Sequence, residues 1–371
     1  MNAVRKWMGV LAACGLALAC GGGAYAAEGK VYHFSIQTVV PTSSLYYGLM
    51  QKWGKEIDVM SGGRLKADIL PAGAVVPTFQ ELDGVNNNVV QGAFSWGNYW
   101  TGKNAAFVLF ANVPPDTGLD QESMLAWFYR GDGEKLYNEL LHDVMHMKVK
   151  AFFMQPMGPD PLGWFKKPIN NMQDFAKFKY RAPPGIPGQT YKDMGVAAVA
   201  LPGGDIVPAA QRGVIDAAEW IGPGDDRALG LQKIWKYYYL QGLHQQTDVG
   251  QLILNEDFWN SLPPDLQEII RVAVRATVAD SLDSDIYDNA IALQQLEEKD
   301  HVIVRDTPAD YYPKFIAASN KITAEYAAKD PFFKKVIDSQ KAWAHRVVDF
   351  RSRWDAPNEM AYSHFFGGKK G

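Results

Sequence analysis

Two rhythms of apolar residues take turns along this chain. Residues 31–40 are apolar and β-branched enough for a strand. A helical stripe of Leu45, Leu49, Trp53, Ile57 and Met60 follows, with Ser43 or Ser44 to cap it and Gly62-Gly63 to end it. Leu65, Ala67 and Ile69 then alternate with Arg64, Lys66 and Asp68, the pattern of a half-buried strand. Thr78 and Glu81 have the spacing of a capping box for a short helix, and residues 89–96 return to a strand. This order predicts an α/β fold with a largely parallel sheet. It recurs downstream, with strands expected at 148–154, 178–181, 196–201, 214–219 and 248–254 and a helix around Ala209. Two such units make two lobes with a cleft between them. Ligands of open α/β sheets sit at the carboxyl ends of strands, so those ends are the place to look for function.

From Pro264 the rhythm changes. Residues 265–299 contain no Gly or Pro and keep helical periodicity. At ~1.5 Å per residue that helix is roughly 50 Å long, enough to cross both lobes. Two further helices, at 311–328 and 332–354, carry apolar faces (Phe315, Ile322, Tyr326; Val336, Trp343, Val347, Phe350) suited to the core or to a second subunit. The expected division is a signal peptide at 1–26, lobe I at 27–152 plus about 248–285, and lobe II at 153–247 plus about 286–330. A C-terminal helix at 331–371 is available for a dimer contact.

Composition narrows the picture. The 371 residues are 47% hydrophobic and 21% charged, ordinary for a globular protein. Arg5 and Lys6, an apolar run to Ala19 and Ala24-Tyr25-Ala26 form a signal peptide with its cleavage site. Both cysteines, Cys14 and Cys20, fall inside it, so the mature chain lacks disulfides and thiol chemistry. Leu11-Ala12-Ala13-Cys14 also fits a lipoprotein box, but the apolar run continues past Cys14, which favours free release into the periplasm. Removing the signal takes the formal charge from −4 to −6, against nucleic acid as a partner.

Short catalytic motifs are missing. His142 and His146 have metal-ligand spacing, but Tyr137, Leu140, Leu141, Val144 and Met145 form the apolar stripe of that helix and leave both imidazoles on its polar face. Ser95 lacks the glycine of a nucleophile elbow, and Gly222, Gly224 and Gly230 make no dinucleotide fingerprint.

Three strand ends stand out. Residues 178–181 end in Arg181 and run into Ala182-Pro183-Pro184-Gly185. Two readings stand for this guanidinium: a bidentate grip on a solute carboxylate, or an internal salt bridge. Residues 214–219 end in Glu219-Trp220, where the acid suits a cation or an arginine. Gln155-Pro156-Met157-Gly158-Pro159-Asp160 places Asp160 near a third end. A secreted metal-dependent hydrolase on Asp160, Glu219 and His244 is the rival class, but no general base is recognisable.

The segments FKYRAPPGIPGQTYKDMG, LPGGDIVPAAQRGVIDAAEWIGPGDD and KYYYLQGLHQQ resemble the solute-binding subunits of tripartite ATP-independent periplasmic (TRAP) transporters, in the branch that binds 2-oxo acids and lactate. The resemblance covers nearly all of the mature chain. It implies a non-enzymatic periplasmic binding protein with two α/β lobes and a long helix crossing them. Closure over one carboxylate and delivery to membrane permease subunits are implied as well. Arg181 takes the place of the arginine that binds the solute. Glu219, the carbonyl of Trp220 and Gln245 match metal ligands. The last ligand matches Asp160, with Gln155 slightly earlier, where sodium-binding relatives have glutamine. Two carboxylates beside a solute carboxylate suit a divalent, oxygen-seeking ion, so Ca²⁺ is expected over Na⁺. Trp96, Tyr99 and Trp100 lie where relatives supply aromatic contacts from the opposite lobe: Tyr99 to donate its hydroxyl, Trp96 to cover the solute. Any one of them also suits an ordinary core position. Relatives often dimerise by exchanging helices, which makes a homodimer the expected assembly.

Overall fold

The computed structural model describes residues 29–356 and 358–367. The signal-peptide segment, with both cysteines, lies outside them. In chain order the strands are β1 (Tyr32–Thr38), β2 (Leu65–Leu70), β3 (Gly92–Ser95), β4 (Val149–Met157), β5 (Gly163–Phe165) and β6 (Lys179–Arg181). They continue with β7 (Ala197–Val199), β8 (Ala217–Ala218), β9 (Tyr237–Tyr239), β10 (Asp248–Asn255) and β11 (Ile303–Arg305).

The strands form two sheets, ordered β2-β1-β3-β10-β4 and β11-β9-β5-β8-β6-β7. β1 runs parallel to β2 and β3, whereas β10 is antiparallel to β3 and β4. In the second sheet β6 is parallel to β7 and β8, and β5 is antiparallel to β8 and β9. Both sheets are therefore mixed. β10 is apolar at most positions because it is an inner strand with every residue buried.

The first helix, Leu45–Met60, starts where Ser44 Oγ accepts the Tyr46 N–H. Its buried face is Tyr46, Met50, Trp53 and Ile57, so the stripe is rotated from the one expected and Met60 is exposed. The Thr78–Glu81 capping box does not form. A 3₁₀ turn at Thr78–Gln80 precedes the helix Glu81–Asn86, and Glu81 is fully buried, accepting from Gln37 Nε2 at 2.8 Å. The strand expected at 89–96 is shortened to β3 by a turn in which Asn88 has φ 56°. The strand expected at 214–219 shrinks to β8: Val214 is the exposed exit of the helix Gly203–Gln211, and Glu219 and Trp220 have left the sheet. His142 and His146 do not share a helical face, because the helix Gly133–Glu139 relaxes into a π turn and His146 adopts φ 53°.

The chain passes between the sheets through residues 158–162, after β4, and through 240–247, before β10. These segments touch, Asp160 donating its N–H to the Gln245 carbonyl at 2.9 Å. The helix Pro264–Glu298 also links the two halves. Ser281 Oγ donates to Pro156 O in β4, and Asn289 Oδ1 accepts from Gly224 N beside the second sheet. Two later helices, Tyr311–Lys329 and Pro331–Trp354, then return across the molecule. The second of these is fastened to the first half by Gln340 Nε2 on Leu109 O and Trp343 Nε1 on Ser123 O. Its end carries a stacked pair, Phe350 and Trp354, at 53% and 74% exposure.

Candidate functional site

One cavity gathers most of the residues singled out by sequence. It is a narrow space between the halves, with a cavity volume of about 20 Å³, enough for one or two waters. Arg181, Glu219, Trp220 and Asp160 line it, as do Gln245, Trp96 and Tyr99. Gln155 is buried in β4 but is not part of the wall; its Nε2 donates to Tyr46 O at 3.3 Å.

Arg181 ends β6 with its side chain 3% exposed. Nε and Nη2 donate to Leu201 O at 3.0 and 2.9 Å. Nη1 donates to the Glu219 carbonyl and, in a short ion pair, to Glu219 Oε1. A guanidinium has five N–H groups, so one on Nη2 remains uncommitted. The two readings of Arg181 are thus not exclusive: it forms an internal ion pair on the wall of the cavity. Its guanidinium lies 5.3 Å from the Trp220 ring centroid, a cation–π contact that limits its swing.

Beside it stands an acidic group. Asp160, Glu219 and Asp248 are all under 4% exposed. Burial raises the Asp160 carboxyl well above its usual range, and Asp248 and Glu219 raise it further. Burial, then Glu219, does the same to Asp248. Asp160 Oδ1 and Asp248 Oδ1 have no hydrogen-bond partner. Buried carboxylate oxygens without donors are what a cation would satisfy. The donor set fits such an ion: Asp160, Glu219, Trp220 and Gln245 line the same cavity, and each has an oxygen to offer. Asp248 was missed in the sequence. Its signal was an acid opening the apolar run of β10.

His244 adds a nitrogen. Its Nε2 lies 3.8 Å from Glu219 Oε2 and lacks a partner, while Nδ1 is 2.9 Å from Tyr191 OH. One ligand atom each from Asp160, Glu219 and His244 can be drawn within 4.8 Å of one another.

The aromatic wall joins the halves. Trp96 meets Trp220 edge to face at 6.1 Å and Tyr99 at 5.6 Å. Trp96 and Tyr99 are both core residues and cavity lining, whereas Trp100 is core alone. Burial raises the Tyr99 hydroxyl, keeping it a donor. The Trp220 indole donates to Asp225 Oδ2 at 2.7 Å. Asp225 Oδ1 reaches the first half, accepting from Ser44 Oγ and Leu45 N, each at 2.8 Å.

Residues 36–330 match the family model of bacterial extracellular solute-binding protein, family 7. The chain belongs to this family. The family 7 protein is a receptor for transport by descent. Among its described residues no helix is long and apolar enough to cross a membrane. It is 33% identical over 321 residues to a monocarboxylate 2-oxoacid-binding periplasmic protein of Nostoc sp., covering 84% of this chain and 82% of that one. A TRAP transporter solute-binding protein from Bordetella bronchiseptica, solved as a dimer with copurified calcium and picolinate, superposes with a TM-score of 0.84. It is 26% identical over 91% of this chain and 98% of that one. One from Pseudoalteromonas atlantica, with sodium and pyruvate, gives 0.81 at 29% identity over 91% and 99%.

Proposed function

We propose that this family 7 protein captures a small 2-oxo or 2-hydroxy monocarboxylate, in the class of pyruvate and lactate, in the periplasm. It presents the solute to the permease subunits of a TRAP-type transporter. The observation that carries this reading is a buried guanidinium, ion-paired to Glu219, that lines one narrow cavity together with Asp160 and Asp248. The ligands of the Nostoc and Pseudoalteromonas relatives support the solute class.

In the ligand-free arrangement Arg181 is held by Glu219. An entering carboxylate takes the free Nη2 N–H and competes for Nη1, so Arg181 turns part of its hydrogen bonding toward the solute. Tyr99 donates to a second solute oxygen, and Trp96 covers it. Asp160, Glu219, the Trp220 carbonyl and Gln245 would hold a calcium ion in preference to sodium. When bound, that ion neutralises the acids and offers positive charge to the 2-oxo or 2-hydroxy oxygen. Closing the halves removes water and strengthens each of these contacts.

Isothermal titration of pyruvate into calcium-loaded Arg181→Ala tests the reading. Losing a buried charged hydrogen bond costs ~2–5 kcal/mol, at least about thirtyfold in Kd; Arg181→Lys falls between. Unchanged affinity refutes it. In metal-stripped protein, sodium restoring pyruvate binding as well as calcium refutes the ion preference. The protein also pairs as a homodimer through the exposed stacks Phe350–Trp354 and Tyr362–Phe366. Sedimentation of Phe350→Glu/Trp354→Glu should then show monomer where the parent shows dimer, and a monomeric parent removes the idea.

A further inference from the structure

Asp160, Glu219 and His244 together look like a three-ligand metal centre, but the hydrogen bonds behind His244 oppose that reading. Tyr191, Tyr311 and His244 are all buried, so every proton among them needs an acceptor within the protein. Leu243 N–H donates to Tyr311 OH at 3.0 Å. The proton of Tyr311 then has Tyr191 OH, at 3.2 Å, as its acceptor. Tyr191, having accepted, gives its own proton to His244 Nδ1 at 2.9 Å. The neighbouring Tyr180 hydroxyl is occupied in donating to Leu162 O at 2.8 Å. An Nδ1 that accepts leaves the ring proton on Nε2. In the reverse order Tyr191 would turn its proton to the Tyr180 oxygen, and His244 would carry its ring proton on Nδ1 with a bare lone pair at Nε2. The field decides between the two orders, since an N–H facing Glu219 and Asp160 is attracted where a lone pair would be repelled.

We infer that His244 is a positioning residue for Glu219, presenting Nε2–H to its Oε2, and is not a ligand of the cation. This rests on the proposed site. Arg181 and His244 face the two oxygens of one carboxylate, Oε1 and Oε2 respectively. When Arg181 turns to a solute, Oε1 loses hydrogen bonding. His244 then closes its 3.8 Å gap and keeps Glu219 aimed at the ion.

Nitrogen-15 spectra of the imidazoles decide the proton, at pH 8, in calcium-free and then calcium-loaded protein. His244→Gln assigns the resonances by their disappearance. We expect a pyridine-type Nδ1 and a protonated Nε2 in both states, and mixed tautomers in Tyr191→Phe. Calcium titration should give His244→Gln, whose amide can donate from nearly the same place, within threefold of the parent. His244→Leu should be at least tenfold weaker. A protonated Nδ1, with Tyr191 donating to Tyr180 instead, overturns the inference. So does loss of the Nε2 proton on adding calcium, or parent-like affinity in His244→Leu. Should calcium bind to no variant or parent, the cation site fails while the calcium-free spectrum still decides the tautomer.

Discussion

Asp225→Ala should loosen solute binding without touching the cavity wall at Arg181. Asp225 is 2% exposed and caps the opposite half of the molecule. Its Oδ1 accepts from Ser44 Oγ and Leu45 N, at the N-terminus of the helix Leu45–Met60, while Oδ2 holds the Trp220 indole. Hydrogen bonds to a charged acceptor contribute ~1.5–3 kcal/mol each, and a carboxylate at a helix N-terminus adds ~0.3–1 kcal/mol. Water replaces part of this once the halves separate. A net loss of about 3 kcal/mol from the closed form follows, equivalent to roughly a hundredfold in Kd. Calorimetry with pyruvate at fixed calcium reads the affinity, and stopped-flow tryptophan fluorescence reads the rates. The change should lie in dissociation, because contacts made after encounter govern koff. A variant that melts like the parent yet binds within threefold of it would refute the idea that this carboxylate clamps the halves together.

Stripping the cation should make stability fall as pH rises. Burial raises Asp160 and Asp248, lifts Asp226 to about 7 and Asp285 to about 6. Each of these acids holds its proton more tightly folded than unfolded. Their contribution is therefore full below pH ~4, the unfolded carboxyl range, and is lost progressively up to pH ~7. Melting in chelator from pH 4.5 to 8 should decline over that window, and calcium should reverse the part due to Asp160 and Asp248; a flat or rising profile contradicts it. Gly203→Ala tests the indole: a Cβ there would sit 2.1 Å from the Trp220 ring. Overpacking of this kind costs ~1–3 kcal/mol, and pyruvate affinity should fall about tenfold with Arg181 intact; parent-like binding would show that the Trp220 position does not matter.

The two-sheet architecture and the crossing helix were legible because apolar periodicity reports which face of an element is buried. Arg181 and Glu219 were legible because charges at the ends of apolar runs have no place in a core. Other features depended on contacts distant in sequence. Glu81 has capping-box spacing, yet burial beside Gln37 decides its role. Residues 214–219 look like one strand, but the preceding helix ends so late that only Ala217 and Ala218 pair. Asp248 was overlooked because local sequence does not say that residues 158–162 will lie against it. For Trp96 and Tyr99 the choice between core and ligand was a false one, since a cavity between two cores is walled by core residues.

The helix Pro264–Glu298 is pinned to one half at Ser281 and to the other at Asn289, eight residues further on. An unbroken α-helix fixes that separation at about 12 Å. The halves are consequently held like leaves on a common spindle, whose fixed length resists their sliding apart. Solute departure is then a matter of angle, and any mutation that softens the spindle between those two pins would let the leaves wobble rather than swing.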